Sequence, residues 1–303
     1  MNKSTMKRWK KNPWSVVLSL SRRGWLNCLS DKTYLSIMYR AKLGKKLDLT
    51  APKTFNEKMQ WMKLYDRNPI YSSMVDKYEV KQIVAAKIGH EHIVPVIGGP
   101  WQSVDEIDFD SLPSQFVLKT THDCGGVRIC KDKQSFDKQG AVAFLNRHMQ
   151  RNYYLNCREW PYKNIVPRLF AEAYISDEDN AVLPVYKIFC FDGKPKIIQA
   201  IQNDKQKDET IDYFDPQWNK LDLRQNFPNS LVPPKRPENL DTMLEIAQKL
   251  SQGHAFIRVD LYEANECVYF SEYTFYSDAG FAEFHPNEWD ETLGAWIRLP
   301  DQK

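Results

Sequence analysis

The chain has 303 residues, 27% of them charged and 42% hydrophobic, with a net charge of +3. That is the balance of a globular protein long enough for two or more domains. No apolar run approaches the ~18 residues that a membrane-spanning helix needs. The six cysteines form neither a C-x-x-C nor a zinc-like pairing, which argues against a disulfide scaffold or a zinc module and for buried thiols of a reduced, cytosolic protein.

Charge is unevenly spread. Residues 1–46 hold twelve Lys or Arg against the single acid Asp31, a balance of +11, so the remainder carries −8. Helix-forming patterns over 5–46 present these cations beside Trp9, Trp14, Trp25 and Tyr34. Three readings fit: a solvated helical face, a peripheral anchor on anionic lipid, or a docking face for an acidic polymer. No recognised nucleic-acid module follows, so nucleic acid is not expected as a partner. The apolar run 14–20 follows a basic start but is short and lacks a small-residue cleavage site, so no export is expected.

Pro52-Lys-Thr-Phe-Asn-Glu-Lys58 predicts a helix start with Thr54 or Asn56 as N-cap, stopped at Asp66-Arg-Asn-Pro69. A second helix is expected over 73–88 with Asp76-Lys-Tyr78 inside it, then a short buried strand over 93–97 ended by Gly98-Gly-Pro100. A strand over 116–119 enters Thr120-Thr-His-Asp-Cys-Gly-Gly126, and extended structure resumes over 127–130. A strand, a glycine loop and a strand, with a lysine at the entrance, can fold backbone N–H groups over phosphates. The spacing is not that of a Walker A loop, and a plain hairpin turn with His122 and Asp123 as turn residues is the simpler reading. A helix over 138–151 and an aromatic, basic connector over 152–168 come next, then a strand over 169–175 interrupted by Glu172. The segments 185–191 and 196–199 form a hairpin about Asp192-Gly193, with Lys187 on its polar face. Residues 203–237 are polar and proline-rich, the composition of a long loop, and 238–250 reads as an amphipathic helix.

Residues 256–274 alternate apolar with polar, break at Asn265-Glu266 and alternate again, the pattern of a β-hairpin. Arg258 and Asp260 share one face; on the return strand Val268, Phe270, Glu272 and Thr274 share one. With a three-residue turn, Asn265 to Cys267, Asp260 stands opposite Glu272 with Cβ atoms ~5 Å apart. With a two-residue turn the two acids fall on opposite faces and are ordinary surface charges. Facing carboxylates stay ionised together only with positive charge between them. Oxygen-only ligands favour Mg²⁺, which keeps waters and phosphate oxygens in its shell, and Arg258 suits a phosphate or an anionic intermediate.

Five segments carry a resemblance: Pro52-Lys-Thr-Phe-Asn-Glu-Lys-Met-Gln-Trp-Met-Lys-Leu-Tyr-Asp66, Asp76-Lys-Tyr78, Phe116-Val-Leu-Lys119 with its loop, Tyr186-Lys-Ile-Phe-Cys-Phe-Asp-Gly193 and Arg258-Val-Asp-Leu-Tyr262. In this order they resemble the TupA-like ATP-grasp family of bacterial surface-polysaccharide biosynthesis, from about residue 31 to the C-terminus. The resemblance implies an α+β ATP-grasp fold, two α+β lobes clasping ATP, with a helical basic N-terminal extension. It divides the chain into a basic helical region (1–75), a lid lobe with the glycine loop (76–175) and a C-terminal lobe with the metal-binding hairpin (176–303). By position it implies that Lys77 and Lys119 touch nucleotide phosphates and that Gly125 and Gly126 close over the triphosphate. Glu172, Ala173, Tyr174 and Ile175 become the interlobe hinge on adenine, Lys187 and Arg258 the catalytic cations, and Asp260 and Glu272 the Mg²⁺ ligands. The turn between the two acids must then hold an odd number of residues. Two departures from the family pattern stand out: Thr274 replaces a common Asn, and 275–281 lacks a common proline.

The implied activity is that of a carboxylate–amine ligase in capsule, teichuronopeptide or lipopolysaccharide biosynthesis, acting on a uronic-acid or amino-acid carboxylate through an acyl phosphate. Such chemistry asks for positioning and for cations on the migrating phosphoryl group. The amine is a small molecule or amino acid. The basic segment then suits an anionic glycan held at the inner membrane face by a cytoplasmic, membrane-associated enzyme. The rival reading is a nucleotide-sugar glycosyltransferase, whose D-x-D motif Asp177-Glu-Asp179 matches literally within a polar stretch; Asp108-Phe-Asp110 is similarly loop-like. A third reading is a binding protein on a degenerate fold, and the joint presence of Lys119, Arg258, Asp260 and Glu272 argues against it.

Overall fold

A computed structural model describes residues 14–177, 183–204 and 206–300. Alternating strands build two antiparallel sheets. The smaller has the order β1-β4-β2-β3, with β1 at Val96–Trp101, β2 at Phe116–Thr120, β3 at Val127–Cys130 and β4 at Leu169–Ala173. The larger has the order β7-β6-β5-β8-β9, with β5 at Val185–Phe191, β6 at Lys194–Gln202, β7 at Thr210–Phe214, β8 at Phe256–Ala264 and β9 at Cys267–Thr274. Phe116 and Leu118 of β2 point inward and meet Leu145 of helix α6 (Lys138–Met149), which closes the smaller core.

Helix α3 (Phe55–Tyr65) begins with a capping box: Thr54 accepts from Glu57 N, and the Glu57 carboxylate accepts from Thr54 N. Such a cap is worth ~1 kcal/mol. Phe55 and Met59 of this helix, Met74 and Val75 of α4 (Ile70–Val75) and Val80 and Val84 of α5 (Val80–Ile88) join the larger core. So do Leu240, Met243 and Leu250 of α8 (Leu240–Ser251) and Leu293 of α9 (Glu288–Trp296). The expected boundary near residue 76 therefore falls between two helices of one core. A third, smaller core belongs to α1 (Trp14–Arg22) and α2 (Asp31–Leu43), where Tyr34, Leu35, Met38 and Tyr39 meet Phe281. Asp31, the one acid of the basic segment, fastens it: its carboxylate pairs with Arg67 at 2.9 Å and accepts from Tyr154, which opens the one-turn helix α7 (Tyr154–Cys157).

Several expectations are corrected. The helix over 73–88 is broken at Asp76, whose Oδ1 accepts from Tyr78 N and Glu79 N, so Lys77 sits in a link and not on a helix. The strand near 93–97 is β1, starting at Val96 and running through Gly98-Gly-Pro100 instead of stopping there. Glu172 lies within β4 without interrupting it, because its carboxylate finds cations. The loop over 203–237 contains β7, which pairs with β6. All six cysteines are free, but Cys28, Cys124 and Cys267 are exposed.

The hairpin corrects its own expectation in an instructive way. Asn265 (φ 50°) and Glu266 (φ 62°) are both left-handed, and Ala264 pairs with Cys267, so the turn holds two residues, not an odd number. A bulge then supplies the missing residue. Leu261 pairs with Phe270 and Asp260 with Glu272, leaving Ser271 extra on β9. Val268 and Phe270 thus share the core face with Tyr273, while Glu272 and Thr274 turn with Asp260 and Arg258 to the other side. Among the described residues no helix is long and apolar enough to cross a membrane.

Candidate functional site: a cation cluster on the β8–β9 hairpin

Antiparallel pairing sets the site out along the larger sheet. Lys187 of β5 pairs with Asp260 of β8, which pairs with Glu272 of β9; Arg258 pairs with Thr274. The buried Arg258 guanidinium donates to both Asp260 oxygens at 2.7 Å each, to Ser277 Oγ at 3.1 Å and to Thr274 Oγ1 at 3.0 Å. Burial disfavours its charge, and Asp260, with Glu272 and Asp278 behind it, more than restores it. Lys187 Nζ lies 3.9 Å from Asp260 Oδ2.

Glu272 is the opposite case. Its side chain makes no hydrogen bond or ion pair among the described residues. Its enclosure pushes its pKa up, but Lys77, Arg258, Lys187 and Lys119 outweigh this and hold it below the ordinary carboxylate range. One unpaired carboxylate thus stands in the field of four cations, two from the larger sheet and two from elements around the glycine loop. Among the described residues no three His, Cys, Asp or Glu are grouped to hold a metal ion. Two facing carboxylates are nevertheless the donor set that Mg²⁺ uses when phosphate oxygens and water complete its shell. The pair fits a metal ion whose shell is completed by oxygens that these side chains do not supply.

The glycine loop is held from beneath by a buried network. Asp123 accepts from Thr120 Oγ1 and meets His148 Nδ1, and His122 Nε2 lies 3.2 Å from the His148 carbonyl. His122 and Asp123 are therefore turn residues that anchor the loop. Lys77 is fixed by its N–H to Thr121 O at 3.0 Å and by its ammonium to Asp123 O. Gly125 is left-handed at φ +86°, and a Cβ on Gly126 would fall 1.8 Å from Thr120 Oγ1. Neither position accepts a side chain without strain.

Glu172, near the end of β4 in the smaller sheet, is clasped by Lys119 and, at 2.7 Å, by Lys81. Ala173 donates to Pro95 O at 2.9 Å, and Tyr174 and Ile175 continue toward Ser176 and Asp177, which accept from Asn265 of the hairpin turn. Burial pushes Glu172 up, and Lys119 and Lys81 more than reverse it. With the folded pKa below the unfolded value of ~4.3, the pairing contributes stability that is present above that value and lost as pH falls through the folded one. Glu172→Gln is expected to cost ~3 kcal/mol near neutral pH and far less at about pH 3, read from urea midpoints. Equal costs at both would remove ionic pairing from this explanation.

Residues that the sequence did not single out complete the surroundings. Lys81 lies four residues after Lys77, a spacing that would have placed it on the same helix face had the helix been unbroken. Tyr153 and Tyr162 of the aromatic connector pack edge to face at 4.7 Å, and Glu272 acts on both. Glu159 between them is buried; burial pushes it up to about 7, against Lys63, Arg258 and Lys42. Of the D-x-D stretch, Asp177 caps the hairpin turn, while Glu178 and Asp179 lie outside the described residues, as do the cations before residue 14. Asp108 accepts from Asp110 N in a surface turn.

No curated protein matches the chain. Among solved structures it is similar to the D-alanine–D-alanine ligase of Bacillus anthracis complexed with ATP, at 16% identity over 81% of this chain and 62% of that one, TM-score 0.39. It is similar also to the D-alanine–D-alanine ligase of Helicobacter pylori (14%, 82% and 70%, TM-score 0.41). A third is the L-amino acid ligase of Bacillus licheniformis (13%, 88% and 56%, TM-score 0.44). The chain thus spans 62% of the length of the first of these enzymes. The family model described as TupA-like ATPgrasp matches residues 57–298, most of the sequence, and the chain belongs to the TupA-like ATP-grasp family.

Proposed function

We propose that the protein is an ATP-dependent carboxylate–amine ligase of bacterial surface-polysaccharide biosynthesis, acting on a uronic-acid or amino-acid carboxylate. The observation that carries this is the unpaired Glu272 opposite Asp260 in the field of Lys77, Lys119, Lys187 and Arg258. Four cations and two facing acids suit a triphosphate with its metal better than they suit any neutral ligand. Lys77 and Lys119 hold the nucleotide phosphates, Gly125 and Gly126 let the loop close over them, and residues 172–175 border the adenine. Asp260 and Glu272 would hold Mg²⁺, which when bound would supply charge neutralisation at the γ-phosphoryl group.

In the reaction a substrate carboxylate oxygen attacks the γ-phosphorus, the bond to ADP breaks, and an acyl phosphate forms. The amine nitrogen then attacks the acyl carbon, phosphate leaves, and the amine loses a proton. Arg258 and Lys187 stabilise the transferred group by charge. Arg258 donates to both Asp260 oxygens, so a metal held by Asp260 and Glu272 would compete with that pair, and the guanidinium would then be available to the phosphoryl group. The chain's basic N-terminal segment supports an anionic glycan as acceptor, with peripheral contact at the inner membrane face. The test is ADP release screened over uronic-acid oligosaccharides with amino acids. Turnover that requires both partners is expected; transfer of sugar from a UDP-sugar without ADP release would replace this reading by the glycosyltransferase.

A further inference from the structure

An open cleft of about 800 Å³ lies between the basic N-terminal helices, the 224–228 loop and the 281–285 segment. Its N-terminal wall, Leu18, Ala41 and Lys42, precedes the part of the chain that the family model matches. Two of its cations, Lys42 and Arg224, are exposed and make no hydrogen bond or ion pair through their side chains among the described residues. Lys42 is instead set over the Phe281 ring at 4.4 Å, a ring that Lys63 approaches at 4.7 Å. Exposed Phe227 adds a second aromatic surface, and His285 another nitrogen base, against the one acid Glu283.

The cleft wall is wired to the candidate site. Asn226 donates to Asp278 Oδ1 at 2.9 Å, Asp278 adjoins Ser277, and Ser277 Oγ accepts from Arg258 at 3.1 Å. On the other side Gln225 accepts from Tyr213 at 2.9 Å, and Asp278 and Arg258 both act on Tyr213. A volume of this size holds a ligand of several rings rather than one small metabolite. Unpaired cations alternating with aromatic faces suit ring-shaped acids, since a guanidinium takes a carboxylate through two parallel bonds.

We propose that this cleft binds the body of the acid substrate, a carboxylated oligosaccharide, and presents its reacting end toward Arg258. The assignment rests on the ligase reading for the role of the ligand, but the binding itself is separable from it. The experiment follows fluorescence anisotropy of labelled hexagalacturonate with the full chain and with the double variant Lys42→Ala, Arg224→Ala. Both residues are exposed and outside the nucleotide cluster. Wild type is expected to bind saturably, the variant at least roughly tenfold more weakly, and added salt to suppress binding.

Maltohexaose is expected not to compete, and hexaglutamate only weakly. No binding by wild type, or unchanged binding by the variant, overturns the cleft. Equal competition by maltohexaose overturns recognition by charge, and by hexaglutamate the saccharide assignment. Stabilisation by Mg-ATP is read in parallel and should be the same in both proteins. Its absence from wild type refutes the ligase reading and leaves the anisotropy to decide the cleft.

Discussion

Asp260→Asn is expected to lower ADP release by ~10²–10³-fold while leaving the fold intact. Asparagine keeps the size of the side chain and one of the two oxygens that Arg258 meets at 2.7 Å. It removes the charge, facing Glu272 across β8 and β9, that the proposed divalent-cation site requires. The residual positive field of Lys77, Lys119 and Lys187 then retains nucleotide, so the loss falls mainly on kcat and less on KM for ATP. If Asp260→Asn turns over like wild type in the assay that detects substrate, the acids hold no metal and Arg258 is merely satisfied by a buried partner.

Lys63→Met is expected to destabilise the protein by ~3 kcal/mol or more, read as a lowered urea midpoint at unchanged slope. The ammonium is 1% exposed and donates to Gln60 Oε1 at 3.1 Å, Cys157 O at 3.0 Å and Ala279 O at 2.7 Å. Gln60 Nε2 adds bonds to Ala279 O and Gly280 O at 3.1 and 2.6 Å. Methionine fills the space but removes the donor to Cys157 O and Gln60 Oε1 and leaves Ala279 O with Gln60 Nε2 alone. The turn they hold is itself strained: Asp278 (φ 49°) and Ala279 (φ 53°) are consecutive left-handed residues that are not glycine, at ~1–3 kcal/mol each. Because Ser277 at its start receives Arg258, Lys63 braces from beneath the turn that Arg258 meets, and on the proposed reading it positions that arginine. The same variant therefore reduces kcat with little change in nucleotide binding. A stable Lys63→Met protein with unaltered kcat would show that the turn holds its shape without the cage.

How far the sequence carried these conclusions depends on what each residue answers to. Apolar alternation located β8 and β9, and short apolar runs beside turn signals located β2, β5 and β6, because each strand places apolar side chains in a core. It could not locate β7, since Thr210–Phe214 sits inside a polar, proline-rich stretch and earns its place only by pairing with β6. Lys77 was expected on a helix because the apolar period runs through Asp76; the Asp76 side chain, which takes the backbone N–H groups of Tyr78 and Glu79, overrides it.

The hairpin is the sharpest case. Counting residues across Asn265-Glu266 demanded an odd turn, yet the dipeptide forms a two-residue one and Ser271 supplies the odd residue six positions later. The sign was present in the sequence: the apolar residues of β9 fall at Val268, Phe270 and Tyr273, a step of two followed by a step of three. Lys63, Glu159 and Lys81 gave no such sign. Their partners lie far along the chain, and only the fold brings a buried charge to its cage.

On the proposed reading Asp260, Glu272 and the four cations around them form a Mg-triphosphate site. Thermal unfolding with Mg-ATP, ATP without metal, and UDP-sugars with Mg²⁺ tests it most directly, since a ligand selective for the folded state stabilises it in proportion to RT ln(1 + [L]/Kd). Stabilisation by Mg-ATP of ~2.7 kcal/mol at a hundredfold excess over Kd, reduced in Asp260→Asn to the level of ATP without metal and absent with UDP-sugars, is the predicted result. Stabilisation by UDP-sugars with no response to Mg-ATP would contradict the account.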